Sequence, residues 1–450
     1  MHRLFIVAAV TILTISPARG DDWPQWLGPK RDSVWRETGL LQSFPPSGPK
    51  VLWRAPIDGG FSGPAVAGGK VFAMDYVSTE GNRWKPDAGK IDRIQGRERV
   101  LCFDAASGKP LWKQDYDCPY SLSYANGPRC TPTVAGNRVY TLGAMGDLNC
   151  LDVADGRVVW SKDLKKEYRT KAPIWGFSGH PLIDGNKLFV TVGGEDSVLV
   201  AFDKDSGREI WRGVSGPDPG YCPPSILEAG GTRQLVVWTP SGIFSVDPET
   251  GKPFWSTDLK PQFGMSITAP LQWRNHLFAG GMGFHAALYK LAADKPAVTL
   301  EWEGKHDNAV YPVNSTPFID DGIIYGVDQP GVLRAVKLET AERLWASYKP
   351  VVGRDLPPDT RINSGTAFLV KNGDRYVIFA ETGDLIFAKL SPKGYDEISR
   401  AKIIEPTLTI QFGPRTVVWS HPAFANRCVF ARNDKEIVCV SLANHLAPGQ

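Results

Sequence analysis

Residues 130–160, CTPTVAGNRVYTLGAMGDLNCLDVADGRVVW, hold one complete copy of the unit from which this chain is built. A small residue and Pro132 open a short apolar run, AGNR (135–138) turns the chain, and RVYTLGA runs back. A second turn leads into DLNCLDVADGR, and the copy ends on Trp160. Apolar or alternating runs of four to eight residues bounded by Gly, Asn and Asp are strand signals. The Asp-x-x-x-Gly turn fits the same reading: Asp152 caps its own loop and Gly156 accepts a positive φ. One unit is therefore four short antiparallel strands, the last carrying a tryptophan.

The unit recurs eight times. Its openings are at Pro64, Pro132, Pro181, Pro224, Pro270, Pro317, Ala367 in place of proline, and Pro422. The fourth-strand tryptophans are Trp112, Trp160, Trp211, Trp255, Trp302 and Trp345, spaced 48, 51, 44, 47 and 43 residues apart. That period matches a four-stranded propeller blade of about 40–50 residues. A residue recurring at one blade position is architectural, so these indoles are expected to pack between neighbouring blades. The seventh unit has no tryptophan there, and Ile398 is expected in its place. The eighth stops after its third strand near Cys439; the missing fourth strand is VLWRAPI around Trp53, at the other end of the chain. The expected fold is all-β: one eight-bladed β-propeller of four-stranded antiparallel blades over residues 50–445. Pairing the N-terminal strand into the last blade closes the ring and removes two sheet edges.

The flanks read differently. Residues 1–20, MHRLFIVAAVTILTISPARG, have the basic start, short apolar stretch and small-residue end of a secretory signal peptide, with cleavage expected near Gly20. The protein is accordingly expected to be periplasmic or secreted. No cysteine near that point suggests a lipid anchor, and no later stretch is long enough to span a bilayer. Residues 21–49 form an extension in which Trp23, Trp26 and Trp35 are expected to pack across one propeller face as a plug, and 446–450 are a tail. With 51 basic and 48 acidic residues and no run of like charge, neither nucleic acid nor an anionic membrane is implied as a partner.

The Pro-led inner strand followed by G-x-L-x-A-x-D-x-x-x-G-x-x-x-W resembles the repeats of the pyrroloquinoline-quinone-like propeller superfamily, over roughly residues 50–445. That superfamily includes quinoprotein alcohol dehydrogenases, the scaffold lipoprotein of the outer-membrane barrel-assembly machine, and exported propellers whose leaders resemble residues 21–40 here. Fold alone does not select among them. The resemblance implies two activities. One is a scaffold for an envelope or extracellular protein partner. The other is a dehydrogenase of an alcohol or sugar using pyrroloquinoline quinone with Ca²⁺. The dehydrogenases carry a vicinal Cys-Cys pair over the cofactor, and no two cysteines are adjacent here; a haem-attachment C-x-x-C-H is also missing. The expectation is therefore no cofactor and no catalytic residue, with the quinone and Ca²⁺ as the alternative.

Seven cysteines lie in the mature chain. Cys118 and Cys130 flank a short turn-rich loop and are the candidate disulfide. Cys102, Cys150 and Cys439 share a third-strand position with Ala201, Ser245, Ala335 and Ala388, where close packing between sheets calls for a small residue. Without C-x-x-C no metal cluster is expected. His180 and His421 precede two opening prolines and would need a third ligand to hold zinc, so no metal site is assigned.

The loops entering the inner strands ring one mouth of the central channel. They supply the candidate ligand-binding residues: Tyr124, Asn126, Arg129, Trp175, His180, Tyr221, Tyr311, Asn314, Arg361, Asn363, Trp419 and His421. Aromatic walls with a few polar anchors are the usual small-ligand design. Arg129 and Arg361 are the candidates for gripping a carboxylate in bidentate fashion, and the competing reading is that loops around any propeller mouth are polar and aromatic. Residues 77–98, with the lone Trp84, and 348–363 exceed the repeat and are candidates for partner contacts. The leading expectation is an exported scaffold or ligand-binding module.

Overall fold

A computed structural model describes residues 21–80, 89–411 and 415–444. The expected leader, Trp84 and the tail 446–450 lie outside the described residues. Thirty-two strands form eight four-stranded antiparallel sheets, with two small two-stranded ribbons between them. Blade two is typical: Thr133–Ala135, Arg138–Leu142, Asp147–Asp152 and Val158–Asp163 follow one another in order. The strand ending each blade pairs through a one-residue bulge, between Cys150 and Leu151 in this case. The ring closes as the sequence implies: Lys50–Pro56 pairs with Glu436–Ser441, setting Trp53 opposite Cys439. An eight-bladed β-propeller results.

The tryptophans bind one blade to the next. Trp53 Nε1 donates to Ala105 O of blade one at 2.9 Å, Trp112 to Val153 O at 3.0 Å, Trp160 to Lys204 O at 3.0 Å and Trp211 to Pro248 O at 3.0 Å. Under the indole lies the turn glycine of the neighbouring blade. A Cβ on Gly108 would come within 2.6 Å of the Trp53 ring and one on Gly207 within 2.7 Å of Trp160, and both glycines have φ near +70°. Glycine is thus required twice over, for its backbone conformation and for the close approach. Trp255 is the exception, bonding instead to Gln234 Oε1 of its own sheet at 2.7 Å.

Blade seven corrects the sequence reading. Its register sets Phe387 opposite Ser399 and Ala388 opposite Glu397, so Ile398 is the bulged residue, and it is 38% exposed. The tryptophan position belongs to Ser399, and the small-residue position of other blades is Phe387 rather than Ala388. The packing comes from elsewhere in the chain. Phe44 of the N-terminal extension stacks on Phe387 at 4.3 Å, its N–H bonded to Ser399 Oγ at 3.1 Å.

Because the strands alternate in direction, turns between first and second strands lie on one face, the turn face. Loops entering first strands lie on the other, the entry face. Residues 22–44 run across the turn face. Trp23 exchanges backbone hydrogen bonds with Val66, Trp35 N–H reaches Lys371 O, and Leu41 N–H reaches Leu442 O. Asn372 Nδ2 holds the carbonyls of Trp35 and Glu37. Trp23, Trp26 and Trp35 are all buried. No helix among the described residues is long and apolar enough to cross a membrane.

Candidate functional site

On the entry face the second strands of four blades carry buried acids at or near their ends, and these pin the incoming loops. Asp75 accepts the Asp58 N–H at 2.7 Å, Asp328 that of Tyr311 at 2.9 Å, Glu381 that of Thr366 at 2.9 Å and Asp434 that of Gly60 at 3.3 Å. Three of these acids have an arginine partner: Arg99 on Asp75 at 2.5 Å, Arg334 on Asp328 at 2.5 Å, and Arg415 on Glu381 at 2.7 Å. Buried carboxylates need such pairing, since stranded charge is costly away from water. Burial still pushes Glu381 and Asp434 above the ordinary carboxylate range. In blade eight, Arg432 is fully buried and donates to the carbonyls of Met74, Asp58 and Asn433. None of these residues was singled out from sequence. Their signal was an acid closing an apolar second strand, as in KVFAMD, IIYGVD and YVIFAE.

Glu98 departs from this pattern. Among the described residues no arginine pairs with it, and it accepts instead from Tyr116 and Tyr120 hydroxyls at 2.5 Å each and from Ala144 N–H at 2.8 Å. Desolvation raises its pKa and holds both phenols well above their usual range. Ligand atoms of Glu98, Cys118 and Asp147 lie within 4.8 Å of one another. Cys118 Sγ is directed at Asp147 Oδ2, 3.6 Å away. This contact replaces the disulfide expected from spacing: Cys118 and Cys130 are free, buried thiols, and Cys130 Sγ turns to the Phe177 carbonyl at 3.8 Å. The two ends of the loop are drawn to different blades.

The mouth residues fall into separate groups. Tyr124 stacks on Trp419 at 6.2 Å, and Trp419 Nε1 donates to Glu381 at 3.1 Å. Arg129 lies over Phe61 at 5.0 Å, with its guanidinium turned back onto the carbonyls of Ser123, Tyr124 and Gly127. Its charge braces its own loop. Trp175 and Tyr221 form a second aromatic pair at 5.7 Å. Asn126 is buried, and its Oδ1 has no partner among the described residues. Asn314 Nδ2 ties to Ser364 O and Thr366 Oγ1. Arg361 and Asn363 are exposed. Tyr311 is fully buried, its hydroxyl donated to Lys305 O at 2.5 Å.

His180 and His421 lie deeper, against the extension. Trp26 stacks on His180 at 5.0 Å with 9° between planes and meets His421 edge-on at 6.2 Å. His180 Nδ1 accepts the Thr131 N–H at 2.9 Å. Burial pulls both imidazoles down, His421 to about 3, so both are neutral at physiological pH.

These blades, their repeat and their ring closure define a propeller of the pyrroloquinoline-quinone-repeat type. Residues 96–282 and 240–447 match the family model described as outer membrane protein assembly factor BamB, and the chain belongs to that family. Among curated proteins it is 27% identical to outer membrane protein assembly factor BamB of Shewanella oneidensis over 48% of this chain and 56% of that protein. It is 29% identical to a quinohemoprotein alcohol dehydrogenase of Pseudomonas putida over 37% of this chain and 25% of that enzyme. The chain thus spans less than two thirds of either relative. Among solved structures, BamB from Moraxella catarrhalis superposes with a TM-score of 0.55 at 16% identity, covering 89% of this chain and 99% of that one. Quinohemoprotein alcohol dehydrogenase from Comamonas testosteroni does so with 0.59 at 13% identity, covering 95% and 82%. At those identities the likeness is one of fold.

A quinone with its Ca²⁺ would need open oxygen ligands on the entry face. Calcium takes about six to eight oxygen ligands, whereas Asp75, Asp328, Glu381 and Asp434 are each already bonded to arginine, threonine or backbone N–H. Arg129 spends its donors on its own loop. These four acids and Arg129 do not fit the pair.

Proposed function

We propose that this protein is an exported envelope scaffold whose entry-face loops meet a protein partner in outer-membrane protein assembly. Membership of the BamB family, with a match running through residues 96–447, is the observation that carries the reading. Two features support it. The polar groups of the entry face are spent on bracing loops, which makes a rigid surface of them. Phe263, in the loop entering blade five, is 69% exposed, and an aromatic side chain standing on a braced loop is the usual anchor of a protein interface. The leader at residues 1–20 would deliver the chain to the compartment where such a partner resides.

A photo-crosslinking residue at position 263 or 361 in cells should yield a discrete adduct with an outer-membrane assembly protein, and one at turn-face Lys70 should not. Equal labelling from both faces, or none from the entry face, would overturn the reading. Adding pyrroloquinoline quinone and Ca²⁺ to the purified protein should leave its absorbance and melting temperature unchanged. A new absorbance band with a raised melting point would instead establish the dehydrogenase alternative, which the Pseudomonas putida relative suggests.

A further inference from the structure

The extension covers the turn face unevenly. Its backbone bonds to the inner strands of blades seven, one and two, at Lys371, Val66 and Val134. Between it and the inner strands of blades three to six lies a cavity of about 470 Å³ whose other wall is residues 25–34. Ile226, Leu271, Pro317 and Phe318 make the wall apolar. The volume falls in the range of small-molecule sites, about 300–1,000 Å³.

A cation with no acid partner among the described residues lines this cavity. Arg31 crosses the Trp26 ring at 5.1 Å, and its guanidinium donates to the carbonyls of Pro181 at 3.1 Å and Pro224 at 3.2 Å. An arginine fork carries five N–H donors, so three remain. Its Nε is buried with no partner among the described residues, and the same holds for Trp26 Nε1. The acids lining the cavity are already taken, Asp32 by Arg36 and Asp184 by Arg233 at 2.8 Å. Lys30 adds a second cation to the lining. A half-buried charge whose Nε is sealed from water without a partner, beside an unmet indole N–H, costs stability unless something completes it. Arg99, Arg334 and Arg415 are each paired with an acid, and Arg432 spends Nε and both terminal nitrogens on carbonyls, whereas Arg31 keeps an unpartnered Nε and lines a cavity.

We infer that this cavity binds a small organic carboxylate, its anionic head held in the free half of the Arg31 fork and its apolar body against Ile226, Leu271 and Pro317. Guanidinium geometry matches a carboxylate in bidentate fashion, and the wall suits a flat or branched hydrocarbon. The site is on the face opposite the proposed partner surface, so the two readings stand or fall separately.

Benzoate is a suitable probe. Calorimetric titration of the mature chain at constant ionic strength should show one site, and saturating benzoate should raise the melting temperature, because a ligand of the folded state alone stabilises it. Neutral benzamide should bind at least tenfold more weakly, as should benzoate to Arg31→Gln, with Arg31→Lys between them. Leu271→Trp crowds the apolar wall while leaving Arg31 in place and should weaken binding at least tenfold even if Arg31→Gln fails to fold. No response to benzoate, equal affinity for benzamide, or full binding by Leu271→Trp would each overturn the inference.

Discussion

Single residues in this molecule are mostly committed to neighbours, and the two channel histidines show the energetic consequence. His421 packs against Phe368 at 4.1 Å and His180 lies under Trp26, the second buried and the first half-buried. Desolvation opposes their protonation in the folded state, while in the unfolded chain they titrate near 6.5. A depressed folded pKa contributes stability that is present above the unfolded value and lost as pH falls, because only the unfolded chain gains the proton. For His421 the window runs from 6.5 down to about 3, and the slope can reach about 1.4 kcal/mol per pH unit. The melting temperature should therefore fall as pH is lowered below 6.5, and His421→Phe should flatten that dependence. Differential scanning calorimetry across pH 4–8 measures it, and an unchanged slope in the variant would remove His421 from the account.

At the scale of elements, the repeat tolerates a missing tryptophan because the extension supplies an aromatic ring from outside the blade. Phe44 on Phe387, with Arg375 over the same ring at 4.0 Å, builds in blade seven the layered packing that indole and glycine build elsewhere. Ile398, standing in the bulge, contributes little. Phe44→Ala should cost about 2 kcal/mol, somewhat below the range for a fully buried phenylalanine because the ring is only half-buried, while Ile398→Ala should stay within about 0.5 kcal/mol. Urea denaturation separates the two, and a larger loss at Ile398 would restore the simple repeat reading. The extension is thereby part of the blade architecture as well as a cover for the turn face.

At the scale of the molecule, stability depends on the closing strand. Trp53 and Trp345 each send an indole N–H to a carbonyl of another blade, at 2.9 and 2.8 Å, and replacing either by alanine removes comparable packing, worth roughly 3–5 kcal/mol. Only Trp53 lies on a strand brought from the far end of the chain. Weakening it frees Glu436–Ser441 as an open edge, a template for pairing with another chain. Trp53→Ala should form larger oligomers on mild heating, whereas Trp345→Ala should keep the mass of the unaltered protein, as read by size exclusion with light scattering. Equal behaviour would show that ring closure does not depend on this joint.

The sequence by itself determined the propeller, its eight blades and the closing strand, because each copy carries its own turns, strand periods and tryptophan, and eight copies in register make local signals global. Even the absent fourth strand was legible, as a gap filled at Trp53. The site was less so. Arg31, Trp26, Glu381 and Arg432 take their meaning from partners dozens to hundreds of residues away, and no local pattern encodes those meetings. Arg129 and Arg361 look equivalent in the sequence, yet one is folded onto its own loop and the other is exposed. Cys118 and Cys130 are close along the chain but are drawn toward different blades. Tertiary structure alone decided which charges are balanced and which are left open, because pairing depends on distances that only the closed ring sets.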